Sequence, residues 1–114
     1  MKMDDYQEVL HKDSIYPGRG EGTLMSVIYC ALGLSGEAGE FSDHAKKIWR
    51  DRDEGQITVA DRDFLITELG DTLWYLARAA TELNVSLSEV AQRNLKKIKG
   101  RVERGTLRGQ GDNR

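Results

Sequence analysis

TLMSVIYCALGLSGEAGEFSDHAKKIWRD, residues 23–51, is the stretch whose reading decides the fold. Its apolar positions Leu24, Val27, Ile28, Ala31, Leu32, Ala38, Phe41, Ala45 and Ile48 recur at helical spacing, and Thr23 stands where an N-cap belongs. The spacing predicts one long helix, straight or bent at its glycines. Gly33, Gly36 and Gly39 each weaken a helix by about 1 kcal/mol relative to alanine. At three-residue spacing they also leave a flat strip for close approach, so either a kink or tight packing accounts for them.

Downstream, the polar segment Arg50–Gln56 reads as a connection. Thr58 with Asp61 three residues on reads as a capping box that opens a second main helix, whose seam is Leu65, Leu69, Leu73, Leu76, Ala80 and Leu83. Asn84-Val85 ends it. Ser86-Leu-Ser-Glu89 is a further capping box, starting a third main helix to about Val102 with Leu87, Val90, Ala91, Leu95 and Ile98 on its buried face. Upstream, residues 4–12 form a short lead-in helix, stopped by Tyr16-Pro17-Gly18 and the glycine-rich run to Gly22. No strand alternation and no internal repeat interrupts this pattern. The expected fold is therefore all-α, a bundle of three main helices plus a short N-terminal helix. Three helices leave apolar surface uncovered, which favours an oligomer. Residues 1–104 make a single helical domain in this reading, and 105–114 a flexible, basic, glycine-rich tail.

The chain of 114 residues carries a net charge of -2, but the charge is unevenly placed. Residues 1–92 hold 9 Lys/Arg against 17 Asp/Glu, and residues 93–114 hold 8 against 2. Such a split fits a nucleic-acid-binding tail, or equally a cation site in the body with a polyphosphate grip at the end. Cys30 is the sole cysteine, so no internal disulfide forms, and its apolar setting reads as core packing in a reducing compartment. Met1–Asp13 is too polar for a secretory signal, and the apolar run Leu24–Leu34 is too short to cross a bilayer. A cytoplasmic protein without a membrane partner is expected.

Four acids carry the chemistry. Glu37 and Glu40 are spaced i, i+3, as are Glu68 and Asp71, so each pair sets two carboxylates one turn apart on one helix face. Each pair borders an apolar seam, so packing the seams turns the four acids toward one another. Carboxylates gathered beside a core repel and lose hydration, a cost that a hard divalent cation reverses. Magnesium is the natural candidate, with manganese as a substitute. An E-x-x-E pair alone is common on wet helix faces. Two such pairs, each beside glycine in Gly36-Glu-Ala-Gly-Glu40 and Glu68-Leu-Gly-Asp71, are more specific because glycine clears room beside the acids.

Through Gly33-Leu-Ser-Gly-Glu-Ala-Gly-Glu40 and Glu68-Leu-Gly-Asp-Thr-Leu-Trp-Tyr-Leu76, the sequence resembles the MazG-like branch of the all-α NTP pyrophosphohydrolases. Asn94-Leu-Lys-Lys-Ile-Lys-Gly-Arg101 resembles the asparagine and lysine segment that follows the family's metal motifs, so the resemblance covers most of the chain. It implies that Glu37, Glu40, Glu68 and Asp71 hold Mg²⁺. It also implies hydrolysis of (d)NTPs between the α and β phosphates, giving a monophosphate and pyrophosphate. Glu37 or Glu40 is then the base that takes the proton of the attacking water. Homodimers or homotetramers with sites near subunit contacts follow from the same resemblance.

Asn94, Lys97 and Arg101 share one face of the third main helix, where amide, ammonium and guanidinium donors suit phosphate oxygens as well as they suit a solvated basic surface. Lys47 lies on the Glu37/Glu40/His44 side, within reach of a phosphate or of a carboxylate. His44 prefers softer metals than Mg²⁺ and reads as a support or surface residue. Phe41, Trp49, Trp74 and Tyr75 supply aromatic area for a base or for the core. The terminal Gly109-Gln-Gly-Asp-Asn-Arg114 resembles tails on some single-domain relatives, and its glycines with Arg108 and Arg114 suit closure over phosphates. Two rivals remain. A di-iron bundle wants two Glu-x-x-His motifs, and only Glu8-Val-Leu-His11 is present. A non-enzymatic nucleic-acid-binding or regulatory module on the basic segment from Arg93 onward leaves the clustered acids unexplained, and no nucleic-acid partner is expected.

Overall fold

Four α-helices account for most of the chain in the computed structural model: α1 (Met3–Asp13), α2 (Leu24–Asp51), α3 (Val59–Glu82) and α4 (Leu87–Glu103). α2 ends at Asp51, as its spacing predicts, and a 3-10 turn at Asp53–Gly55 lies within the polar connection to α3. The structure describes residues 1–114 apart from the side chain of Glu54. No strand occurs among the described residues, and none of their helices is long and apolar enough to cross a membrane.

The caps are those the sequence offers, with one exception. Thr23 accepts from Ser26 N at 3.2 Å, and Thr58 and Asp61 form a complete reciprocal box. Ser86 accepts from Glu89 N at 3.0 Å, but the Glu89 carboxylate turns outward to Arg93, so only half of that box forms. An i, i+4 arginine competes for the acid that the box requires.

α2 and α3 form the dominant antiparallel pair, with Gly33 meeting Tyr75 at one end and His44 stacked on Phe64 at the other. Of the glycine strip, only Gly33 serves close approach: a Cβ there would lie 2.1 Å from the Tyr75 ring. Gly36 and Gly39 face open space, and α2 stays helical through all three. α1, expected as a loose lead-in, is instead a clasp. Gln7 is buried, donates to Thr81 Oγ1 and Val85 O, and accepts from Leu87 N at 2.8 Å, pinning the α3–α4 turn. Around it Ala77, Ala80 and Leu87 pack with Tyr6, Leu10 and Val85.

The glycine-rich run Gly18–Gly22 is held by a buried charge network. Gly20 N and Gly22 N donate to Glu82 at 2.7 and 2.9 Å, the Tyr16 hydroxyl donates to the same carboxylate, and Arg78 donates to Tyr16 at 3.0 Å. Arg78 is fully buried and Glu82 nearly so. Burial alone would raise the Glu82 pKa, but its hydrogen bonds from Tyr16, Gly20, Gly22 and Ser26 win and hold it at about 2.

The leucine seam is where sequence and single chain part. α3 buries Asp61, Glu68, Ala77, Arg78, Ala80 and Glu82, while Leu69, Leu76 and Leu83 lie on an uncovered face. α4 buries Leu87 but leaves Val90, Leu95, Ile98 and the small Ala91 exposed. Leu24 and Leu32 of α2 are likewise outside. Helical periodicity specifies a face that needs cover, not the neighbour that supplies it. The accessible surface of 8509 Å² exceeds the about 6,300 Å² typical of a monomer this size. The radius of gyration, 17.0 Å, likewise exceeds the about 13 Å of a closed domain.

Candidate metal centre

The antiparallel packing of α2 on α3 brings three of the four predicted acids together. Glu37, Glu40 and Glu68 each offer a carboxylate oxygen, and these atoms all lie within 4.8 Å of one another. Glu37 is half-buried, Glu40 exposed and Glu68 buried, so the cluster grades from solvent at Glu40 to the interior at Glu68. Glu68 Oε2 is buried with no hydrogen-bond partner among the described residues. A carboxylate oxygen in that position is costly unless a cation compensates it. Asp71 stands beside this triad and not within it, lining a cleft with Glu37.

The electrostatics agree. Desolvation raises the Glu37 pKa above the ordinary glutamate value, and the nearby charges of Glu40, Asp71 and Glu68 raise it further. Glu68 is raised first by desolvation and then by Glu40 and Asp71, with His44 acting weakly against them. Both shifts mark acids whose charge lacks a counterion in the chain itself. The orphaned oxygen, the spacing and the all-oxygen donor set fit a hard divalent cation.

Two open clefts flank the triad. One, of about 400 Å³, is lined by Gly36, Gly39, Glu40, Asp43, His44, Lys47 and Phe64. Gly36 and Gly39 add no side chain to the α2 wall, so the cleft stays open between the acidic and basic side chains that line it. Lys47 Nζ sits 2.5 Å from Asp43 Oδ2 at its edge, pairing with a carboxylate while facing the cleft. The other, of about 340 Å³, is lined by Glu37, Asp71, Trp74 and Tyr75, whose rings meet edge-on at 4.8 Å. Phe41 is half-buried, and Trp49 is exposed and lines neither cleft.

His44 supports the site. Its ring stacks on Phe64 at 4.1 Å, and its Nε2 lies 3.6 Å from Oδ1 of Asp61, the acid of the α3 capping box, which Arg52 also contacts at 3.1 Å. Neither Asp61 nor Arg52 was singled out for the site by sequence reasoning, since both read as cap and loop. Gln7, Tyr16, Arg78 and Glu82 also went unassigned. The one signal for that group was a charged i, i+4 pair, Arg78 and Glu82, inside the leucine-rich part of α3. Glu8 pairs with Lys12, and His11 Nδ1 accepts from Arg78, so the lone Glu-x-x-His motif is spent on structure.

α4 makes no contact with α2, and no α4 residue lines either cleft. Asn94 and Lys97 are exposed on its surface, and Arg101 is buried beneath the tail. The tail itself, expected to be flexible, is docked. Asp112 pairs with Lys97 and Arg101, and Arg104 donates to the Arg114 carbonyl at 2.9 Å.

This pair of acid-bearing helices, with its chain order of E-x-x-E then E-x-x-D, defines a class: residues 26–106, well over half of the chain, match the MazG nucleotide pyrophosphohydrolase domain. The chain belongs to the MazG family of pyrophosphohydrolases, and the fold of its four helices is that of the all-α superfamily. Among curated proteins it is similar to the Gene 37 protein of Mycobacterium phage L5, 48% identical over 115 residues spanning 100% of both chains. No solved structure matches it.

Proposed function

We propose that the protein is a Mg²⁺-dependent (d)NTP pyrophosphohydrolase, releasing a nucleoside monophosphate and pyrophosphate. The observation that carries this reading is the convergence of Glu37, Glu40 and Glu68 around a buried, unpartnered carboxylate oxygen. Asp71, next to Glu37, completes the ligand set when the metal binds. Bound Mg²⁺ (or Mn²⁺) supplies neutralisation of the phosphate oxygens at the scissile anhydride. The α–β anhydride lies over the acids. The nucleoside end takes the cleft with Trp74 and Tyr75, and the β and γ phosphates lie along the glycine-floored cleft toward Lys47.

Of the acids, Glu37 or Glu40, less enclosed than Glu68, accepts the proton of the attacking water. Glu68, locked by burial, positions. His44 and Phe64 brace the wall that carries Glu40. Asn94, Lys97 and Arg101 of α4 serve as the phosphate grip. Because α4 stands apart from α2 within one chain, a neighbouring copy delivers that grip. The uncovered leucines and the excess surface support a homodimer or homotetramer.

The test is a panel of NTPs and dNTPs incubated with Mg²⁺, with pyrophosphate and orthophosphate measured separately. Pyrophosphate in equimolar yield with the monophosphate is expected; orthophosphate alone, or no product from any nucleotide, refutes the assignment.

A further inference from the structure

The C-terminal strap is built where the chain's basic charge is densest. Glycines at 105, 109 and 111 adopt φ of +68, +123 and +82°, a backbone that L side chains resist and that lets the chain double back along α4. Thr106 N closes the turn onto Arg101 O at 2.8 Å. Asp112 Oδ1 then lies 3.0 Å from Arg101 Nη2 and 3.3 Å from Lys97 Nζ, and Arg101 Nη2 also donates to Gly111 O at 3.3 Å.

The two sides of this contact differ. The Arg101 side chain is only 9% exposed, and its Nε is buried without a partner among the described residues, whereas the Asp112 side chain is 83% exposed. Arg101 is thus enclosed beneath the strap with its Nε unmet, and its anion is a single exposed carboxylate carried on glycine hinges. An ion pair whose carboxylate stands open to water is weak and screened by salt. An oligophosphate brings more charge and several acceptor oxygens to the same ammonium and guanidinium donors.

We propose that Asp112 is an internal stand-in for phosphate: the tail closes the Lys97/Arg101 face as an autoinhibitory strap, and an oligophosphate displaces it to bind there. This rests on the reading of α4 as a phosphate grip, but it concerns binding and not turnover. The strap lowers the affinity of the empty face for inorganic pyrophosphate and for short anions, and leaves the face to ligands with enough charge to displace the carboxylate.

The experiment is calorimetric titration of the full-length, metal-free protein with inorganic pyrophosphate, comparing wild type, Asp112→Asn, Asp112→Asn with Lys97→Ala, and Glu103→Gln. Glu103→Gln removes one negative charge from α4 without touching the Lys97/Arg101 pair. Asp112→Asn is expected to tighten pyrophosphate binding by about three- to tenfold. The added Lys97→Ala should abolish that gain, and Glu103→Gln should give clearly less. Unchanged or weaker binding in Asp112→Asn, an equal gain in Glu103→Gln, or no binding by any variant overturns the proposal. Because no nucleotide is hydrolysed in this measurement, a failed nucleotide panel with the expected gain in Asp112→Asn condemns the activity and spares the strap.

Discussion

Glu68 is the residue on which the site's chemistry and the fold's stability conflict. It is buried against α2 with an orphaned oxygen and a raised pKa, so in metal-free protein its charge opposes folding. Replacing it with glutamine should raise the melting temperature in chelator and remove most of the further rise that Mg²⁺ gives the wild type. A lower melting temperature for Glu68→Gln in chelator would contradict this account. The pH dependence has a definite sign. Glu37 and Glu68 bind protons more tightly folded than unfolded, so their contribution is fully favourable below the ordinary value of 4.5 and is lost as pH rises through their raised folded values. Metal-free protein should therefore melt higher at about pH 5 than at about pH 7, and saturating Mg²⁺ should flatten that slope. Glu82 acts oppositely: held at about 2, it contributes stability above 4.5 that is lost as pH falls from there toward 2. The acids were legible because their i, i+3 spacing fixes the face they share. Burial of Glu68 but not Glu40 was not, because it depends on how deeply α3 seats against α2.

Within the helices, the three glycines of α2 separate into two kinds. Gly33→Ala puts a methyl group into the Tyr75 ring and should cost about 1–3 kcal/mol in chemical denaturation. Gly36→Ala meets nothing and should stabilise α2 by up to about 1 kcal/mol, while narrowing the cleft beside Glu40. Equal effects at both positions would mean that α2 and α3 do not pack in this register. In the α3–loop contact, Glu82→Ala leaves Arg78 buried without its acid and frees Gly20 and Gly22, a loss of about 3–5 kcal/mol by the same measurement. Helix extents and caps could be read from Thr23, Thr58 and Ser86 because capping is local. The clasp made by Gln7 and the network of Tyr16, Arg78 and Glu82 could not, because each joins residues at least 60 positions apart apart from the single-turn spacing of Arg78 and Glu82.

At the scale of the molecule, the unmatched leucines of α2, α3 and α4 demand cover. Leu69 and Leu76 of α3 and Leu83 at its C-cap repeat every seven residues, the period of a helix seam that pairs with another helix. Sedimentation should find a dimer or tetramer, and Leu76→Glu should shift it toward monomer; a wild-type monomer at micromolar concentration would contradict the assembly proposed for the site. Periodicity announced these faces, but a single chain holds no partner to place on them. The central claim, that acids of α2 and α3 together hold the metal on which pyrophosphohydrolysis depends, has a direct test. Pyrophosphate release is measured across a Mg²⁺ titration for wild type, Glu40→Gln and Asp71→Asn, with circular dichroism confirming the helices. Saturable Mg²⁺ dependence in the wild type, and a loss of roughly a hundredfold or more in kcat/KM in both variants with helicity retained, is the predicted result. Turnover in chelator, or wild-type rates in both variants, would contradict it.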